Sequence, residues 1–478
     1  MPSLTNIWYR NWQSKLQRAA FTSLRNTTVL CAFNALIDKT VHYDQRFFSS
    51  LFKHFEADRH SILRHSNRDL SRIDSPQLLV AGLIYGFRTG KALHLPTNSA
   101  LIDWLETLFP RFNTSIGGQA GIIANQVALL GGQSILYTSH LSPKLARLFS
   151  PRVKFPVATS RHLEFVSVSH AAKKTEQTRT NWIFEFKKGD VIQFGGTVFE
   201  APRSNRLILS SPQDHPALFE PNLVHQLPIL GERINAGIVS GYHSLQPLYA
   251  DGSTYEYYLS IEELYLKMLK AHKNVPLHIE YVSTPHKDVD KMIYEHIAKH
   301  VDSLGLNEIE IVELAEKLGF GKQAREIAKS ENVVTIYNAA EKILDVLELK
   351  RVHVHNLGYH LILLKKPVDI GHQHKAVNAA LFGSLAATSR AVKGREITRG
   401  EVQDALQVSA SEIALNQMAR FCAHNALSRT RSEHSILSGI FDMGKHVALI
   451  VPGQVAPLSR KTVGLGDVAS SCAFLAGL

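Results

Sequence analysis

The amino-acid sequence predicts an α/β protein: a large, doubly wound, mainly parallel sheet with helices on both faces, joined to a smaller β-rich unit. Three observations carry this. After residue 241, amphipathic helical stretches alternate with short apolar runs, the pattern of a parallel sheet covered on both sides. Residues 156–211 break into short alternating segments separated by Lys-Gly-Asp, Gly-Gly and Pro-Arg-Ser-Asn turns, a β-meander set apart from the main sheet. Near the end, the apolar run 447–451 is followed by Lys461-Thr-Val-Gly-Leu-Gly-Asp467 and then a helical pattern, a strand, glycine bend and helix in succession.

Taken in order, residues 7–12 have charge and aromatics spaced as in an amphipathic helix. Residues 28–33 form an apolar strand running into Asn34 and Asp38, polar groups at the carboxyl end where α/β sheets place ligands. A histidine-rich helical stretch follows, then the apolar segment 78–85 and the turn 88–91. Gly117-Gly-Gln-Ala-Gly121 opens a helix over 122–130, its small residues serving tight packing or close approach to a ligand. Strands are expected at 182–186, 190–194, 197–199 and 206–209. Beyond them come helices at 259–272, 286–301, 307–318, 333–347, 372–392 and 409–427, with strands at 276–282, 352–355 and 360–364.

The chain has 478 residues, enough for two structural units. Its three cysteines, Cys31, Cys422 and Cys472, stand far apart in apolar surroundings, so free thiols in a reducing, cytoplasmic setting are expected. No charged-then-apolar leader opens the sequence, and its longest apolar run is too short for a bilayer. The formal charge of +11 comes from scattered Lys and Arg rather than a basic block. That disfavours nucleic acid and suits attraction of phosphorylated small molecules.

The glycine bend at Gly464-Leu465-Gly466 brings backbone N–H groups and the positive end of a helix to one point, an anion hole for phosphate. Asp467 beside it repels phosphate but fits a base taking a proton from an attacking alcohol. An ordinary glycine turn with an aspartate cap reads the same residues equally well. In His278-Ile-Glu280 both polar side chains share one strand face. Asn307 is placed as a helix cap with Glu310 one turn on. Such carboxylates and amides at the edge of a phosphate site suit magnesium held through water, although each motif alone is also a common cap or surface pair. His353, His355, His372 and His374 lack an accompanying Cys or carboxylate at ligand spacing, and exposed histidines are expected there.

Together, Gly464-Leu-Gly-Asp467, Asn307…Glu310, His278-x-Glu280, Gly117-Gly-Gln-Ala-Gly121, Asn34…Asp38 and Asn181-Trp-Ile-Phe-Glu-Phe186 resemble the ADP-dependent sugar kinases. These are the ADP-dependent phosphofructokinases and glucokinases of the ribokinase-like superfamily. The resemblance implies a large α/β nucleotide-binding domain over 1–33, 45–77, 119–155 and 212–478. It implies a β-rich lid over 34–44, 78–118 and 156–211. It implies transfer of the β-phosphate of ADP to a hydroxyl of a hexose or hexose phosphate, leaving AMP, with Mg2+ required. Position by position, it makes Asp467 the base and Gly464, Leu465 and Gly466 the anion hole. Glu280, Glu310 and Asp467 become the magnesium-organising carboxylates, with Asn307 and His278 in support. Asn34, Asp38, Gly117, Gly118 and Gln119 fall where the family holds the sugar, and Tyr359 and Lys461 where it holds the nucleotide. A monomer or small homo-oligomer acting on small molecules, with neither nucleic acid nor membrane as partner, is expected.

Two positions depart from the family pattern. Val468 stands where a Thr is usual, with Ser470 a turn later as a substitute, and His94 stands where many relatives carry a sugar-binding Glu. With Arg179, Arg203 and Arg206 available for a substrate phosphate, fructose 6-phosphate is narrowly favoured over glucose. Glucokinase or dual activity remains open, and so does an inactive sugar or nucleotide sensor.

Overall fold

The computed structural model describes residues 4–478 apart from 54, 56–57, 110–111, 160, 195, 212–217, 250, 283, 285–286 and 458–462. Lys461, expected at the nucleotide, lies outside the described residues.

Short runs rich in Val, Ile and Leu, buried on both faces, form the centre of an 11-stranded sheet. Seven neighbours run parallel: Arg351–Asn356, Ser303–Leu306, Leu277–Glu280, Ala236–Val239, Thr28–Ala32, Gln133–Tyr137 and Lys154–Ala158. Tyr359–Lys365, His446–Pro452 and Ile440–Asp442 continue the sheet antiparallel beyond Arg351–Asn356. Only Leu357 and Gly358 separate the strands Arg351–Asn356 and Tyr359–Lys365, too little chain for a parallel crossover, so a hairpin forms. The helix Ile370–Lys393 and the last helix, Leu465–Ala476, pack against each other and the sheet. Trp8, Trp12 and Leu16 of the helix Leu4–Ala19 are buried in the same core.

The second unit is a five-stranded sheet in the order Leu93–Pro96, Asn205–Ser210, Thr180–Phe186, Leu36–His42 and Asn113–Gly117. Its strands alternate. Trp182, Phe184, Leu207 and Leu209 fall on one face and enter a separate apolar core, whereas Asp38, Asn181, Arg206 and Ser210 fall on the other.

The expected domain limits need correction at two places. Phe48, Leu51, Ile62 and Ile73 enter the second core beside Leu79, Phe87 and Trp182, so the stretch 45–77 belongs with the small sheet. Lys154–Ala158 and Leu163–Ser167 extend the large sheet at its edge, so 156–167 does not belong to the small one. Nor is the β-rich stretch one meander. Val191–Phe194 and Thr197–Glu200 form a separate two-stranded hairpin, and Thr180–Phe186 pairs instead with Asn205–Ser210.

Candidate active site

The chain passes between the two units four times, and two of these crossings build the site. Thr28–Ala32 leads through Phe33, Asn34 and Ala35 into Leu36–His42, and Asn113–Gly117 leads through Gly118 into the helix Gln119–Leu129. These crossings lie side by side, the Gly121 N–H donating to the Asn34 carbonyl at 3.1 Å. The expected sugar-binding residues Asn34, Asp38, Gly117, Gly118 and Gln119 are thereby gathered. Asn181 Nδ2 donates to Asp38 Oδ1 at 3.2 Å, and any Cβ at Gly117 would collide with that carboxylate.

Gln119 Nε2 donates to Asp467 Oδ1 at 3.1 Å, linking this crossing to the start of the last helix. That helix begins at Leu465, capped by Gly464 in the left-handed region at φ 74°. Gly466 is tied to its place by space: a Cβ there would lie 2.5 Å from His355 Cε1. The first N–H groups of the helix are therefore free of side chains on that face.

Asp467, Glu280 and Glu310 come from three distant segments and act on one another electrostatically. Burial, then the charge of Glu280, pushes Asp467 up to about 6, against the pull of Gln119, His355 and Arg390. Burial pushes Glu310 up to about 8, with Glu280 and Asp467 adding to it. Burial would raise Glu280 too, but His278 and then His355 outweigh it and bring it to about 2. His278 Nε2 donates to Glu280 Oε1 at 2.6 Å, and His355 Nε2 stands 3.8 Å from Glu280 Oε2. The Asn307 Oδ1 accepts from the Ile309 and Glu310 N–H groups at 2.9 Å, while Glu310 Oε2 accepts from the Asn307 N–H at 2.8 Å. Asn307 and Glu310 thus form the reciprocal cap that their spacing allows. Among the described residues no three side chains close into a direct metal cage. Neighbouring carboxylates of raised pKa nevertheless fit a divalent cation held mainly through water and phosphate oxygens.

Some residues stand elsewhere than expected. Tyr359 is buried, its hydroxyl accepting from Asn356 Nδ2 at 2.7 Å, and the adjoining Leu357 and Gly358 line a cleft instead. This cleft, of 340 Å³, runs past Ser384, Thr388 and Val455 to Leu465 and Gly466. Ser470 is buried behind the carboxylates, 3.4 Å from His278 Nε2, and does not replace the hydroxyl lost at Val468. Arg203 Nε donates to the Gly90 carbonyl at 2.7 Å. Of the four histidines expected to be exposed, His353 is buried and His355 half-buried, whereas His372 and His374 are exposed.

Three participants were not picked out from the sequence as parts of this site. His355 reaches Glu280, which the alternation of His353 and His355 on one strand face could have signalled. Arg390 lies fully buried behind Gly464, its Nε and Nη2 without partners among the described residues. His243 stands beside Arg179 and His94 across the gap between the units, and no local pattern marks it.

A family model described as the ADP-specific phosphofructokinase/glucokinase conserved region matches residues 27–476. The ADP-specific phosphofructokinase of Methanosarcina acetivorans is 30% identical, covering 94% of this chain and 92% of its own. That of Pyrococcus furiosus is 29% identical over 95% and 98%. A solved structure, an ADP-dependent kinase in complex with fructose-6-phosphate and ADPbetaS, superposes with a TM-score of 0.82 at 29% identity, covering 100% of this chain and 98% of that one. The match extends from the first central strand to the final helix, and the chain belongs to the ADP-specific phosphofructokinase/glucokinase family, with its ribokinase-like fold.

Proposed function

We propose that this ADP-dependent sugar kinase takes fructose 6-phosphate as its acceptor. The observation that carries the choice is a group of basic side chains where the two units face each other. Arg179 has a buried Nε with no partner among the described residues, and burial pulls its pKa down to about 10. Burial, then His94 and Arg179, drives His243 down to about 3. His94 lies open to the gap with its Nε2 2.6 Å from Ser210 Oγ, and its surroundings and Arg206 push its pKa down. Among the described residues no carboxylate shifts these three groups. A desolvated guanidinium left without an anion is costly, and a phosphate dianion relieves it, with the neutral His243 and His94 rings beside it as hydrogen-bond donors. Glucose carries no such charge.

In this reading the nucleotide lies in the 340 Å³ cleft with its phosphates at Leu465 and Gly466, where the free N–H groups hold the transferred group. Asp467 takes the proton of the acceptor hydroxyl, and its raised pKa makes it a stronger base than an ordinary aspartate. Gln119 orients that carboxylate. Glu280 and Glu310, with His278 and Asn307 in support, would hold Mg2+ through water, and the ion supplies charge neutralisation of the phosphates. The free thiols Cys31, Cys422 and Cys472 fit a cytoplasmic enzyme.

The test is AMP formation from ADP with each sugar. Fructose 6-phosphate is expected to give kcat/KM at least roughly tenfold above glucose, and Arg179→Met to remove most of that advantage. Turnover of glucose alone would overturn the choice of acceptor.

A further inference from the structure

The strand pair at the hairpin edge of the parallel sheet carries a hydrogen-bond chain, Arg351–His353–His360, to which the proposed reaction assigns no role. Ser303, which also meets Arg351, joins its start to His278 at 2.9 Å. Arg351 begins one strand, on the wall of a 1210 Å³ cavity at the amino ends of the parallel strands. Substrate sites of such sheets lie at the opposite, carboxyl ends, so this cavity is not the active site. Arg351 Nη1 donates to Ser303 Oγ at 2.8 Å, which fixes the plane of the guanidinium. Its Nη2 lies 3.0 Å from His353 Nδ1. His353 Nε2 lies 3.0 Å from His360 Nδ1. Both rings are buried, and burial followed by neighbouring positive charge holds them neutral.

The direction of the chain follows from one fact: arginine only donates. His353 Nδ1 must accept, so its proton sits on Nε2 and is donated to His360 Nδ1. The His360 proton then sits on Nε2. That nitrogen is not among the enclosed, unpartnered atoms, and His360 lines the 340 Å³ cleft.

We propose that His360 Nε2–H is a donor to an acceptor atom of the bound nucleotide, and that Arg351 is the positioning residue that keeps it a donor through His353. This rests on the reading that the cleft takes the nucleotide. Without Arg351, either tautomer of His353 is allowed, and His360 can present a bare nitrogen that repels the same acceptor.

The test uses the whole chain and two readouts. In ligand-free protein, 15N-resolved spectra of the imidazoles are expected to show His353 and His360 each as a single Nε2–H form. Arg351→Ala is expected to turn both into mixtures. His353→Phe, which keeps a buried ring but cuts the chain, is expected to do so at His360. In equilibrium titrations with AMP and in kinetics with ADP, both variants are expected to weaken nucleotide binding roughly tenfold while kcat stays within about twofold. Because Arg351 borders an open cavity, added guanidinium ion is expected to restore part of the binding to Arg351→Ala and none to His353→Phe. Unchanged tautomers in Arg351→Ala, or a loss in kcat equal to the loss in binding, would overturn the proposal. If Arg351→Ala does not fold, His353→Phe alone decides. If the wild type fails to bind AMP while its rings show the single form, the fault lies with the cleft assignment and not with Arg351.

Discussion

Asp467 is held between opposing influences. Burial and Glu280 keep its proton on, while Gln119, His355 and Arg390 draw it off, and the balance lies at about 6. Asp467→Asn preserves the oxygen that Gln119 meets and removes only basicity. We expect turnover to fall by about 10²–10⁴ while the dissociation constant for ADP changes by less than about threefold, measured by AMP formation and calorimetric titration. Substantial remaining turnover would show that another group takes the proton. Neither Gln119 nor Arg390 is near Asp467 in sequence, so the tuning of this side chain was hidden until the chain folded.

The start of the last helix shows two glycines with different duties. Gly464 is needed for its backbone, since φ 74° costs an alanine about 1–2 kcal/mol. Gly466 is needed for space, because a methyl group would press on the ring of His355. Gly464→Ala should therefore lower the urea midpoint measurably. Gly466→Ala should leave the midpoint nearly unchanged, because alanine favours the helix by about 1 kcal/mol, yet cut kcat roughly tenfold or more by displacing His355 and the helix N–H groups. Equal stability losses in the two variants would contradict this division. The Gly-x-Gly-Asp pattern announced the turn. That the second glycine makes room was decided by His355, a residue of another element.

Across the whole molecule, stability has a pH dependence that one buried carboxyl makes visible. Glu262, in the helix Tyr255–Leu269, is buried and accepts from the Tyr242 hydroxyl at 3.0 Å. Burial raises its pKa from 4.5 to about 8, with Tyr242 only partly offsetting it. The native state therefore binds a proton that the unfolded chain releases. The stability contribution is intact below about 4.5 and is lost as pH rises towards about 8. Glu262→Gln should match the wild type near pH 4.5 and exceed it by about 4 kcal/mol at pH 8, read from urea unfolding at both values. A variant equally stable or weaker at pH 8 would remove Glu262 from the account.

Local and periodic features were open to reading in the chain alone. The αβ alternation, the glycine bend, the His278–Glu280 pair on one strand face and the Asn307–Glu310 cap all follow from spacing of 2 or 3.6 residues and from turn chemistry. Those forces act within a few residues, so the sequence by itself determined the fold class and the local motifs of the candidate site, and the resemblance to the family rests on those motifs standing in matching order. Packing partners are chosen in space. Packing moved 45–77 to the small sheet, buried His353, which had been expected at the surface, against His360, and sent Ser470 inward and Arg203 to Gly90. It also brought His243 and Arg390 to their places. Coulomb and desolvation energies depend on distances between residues far apart in the chain, so only the tertiary structure decided which charges meet and which stay unpaired.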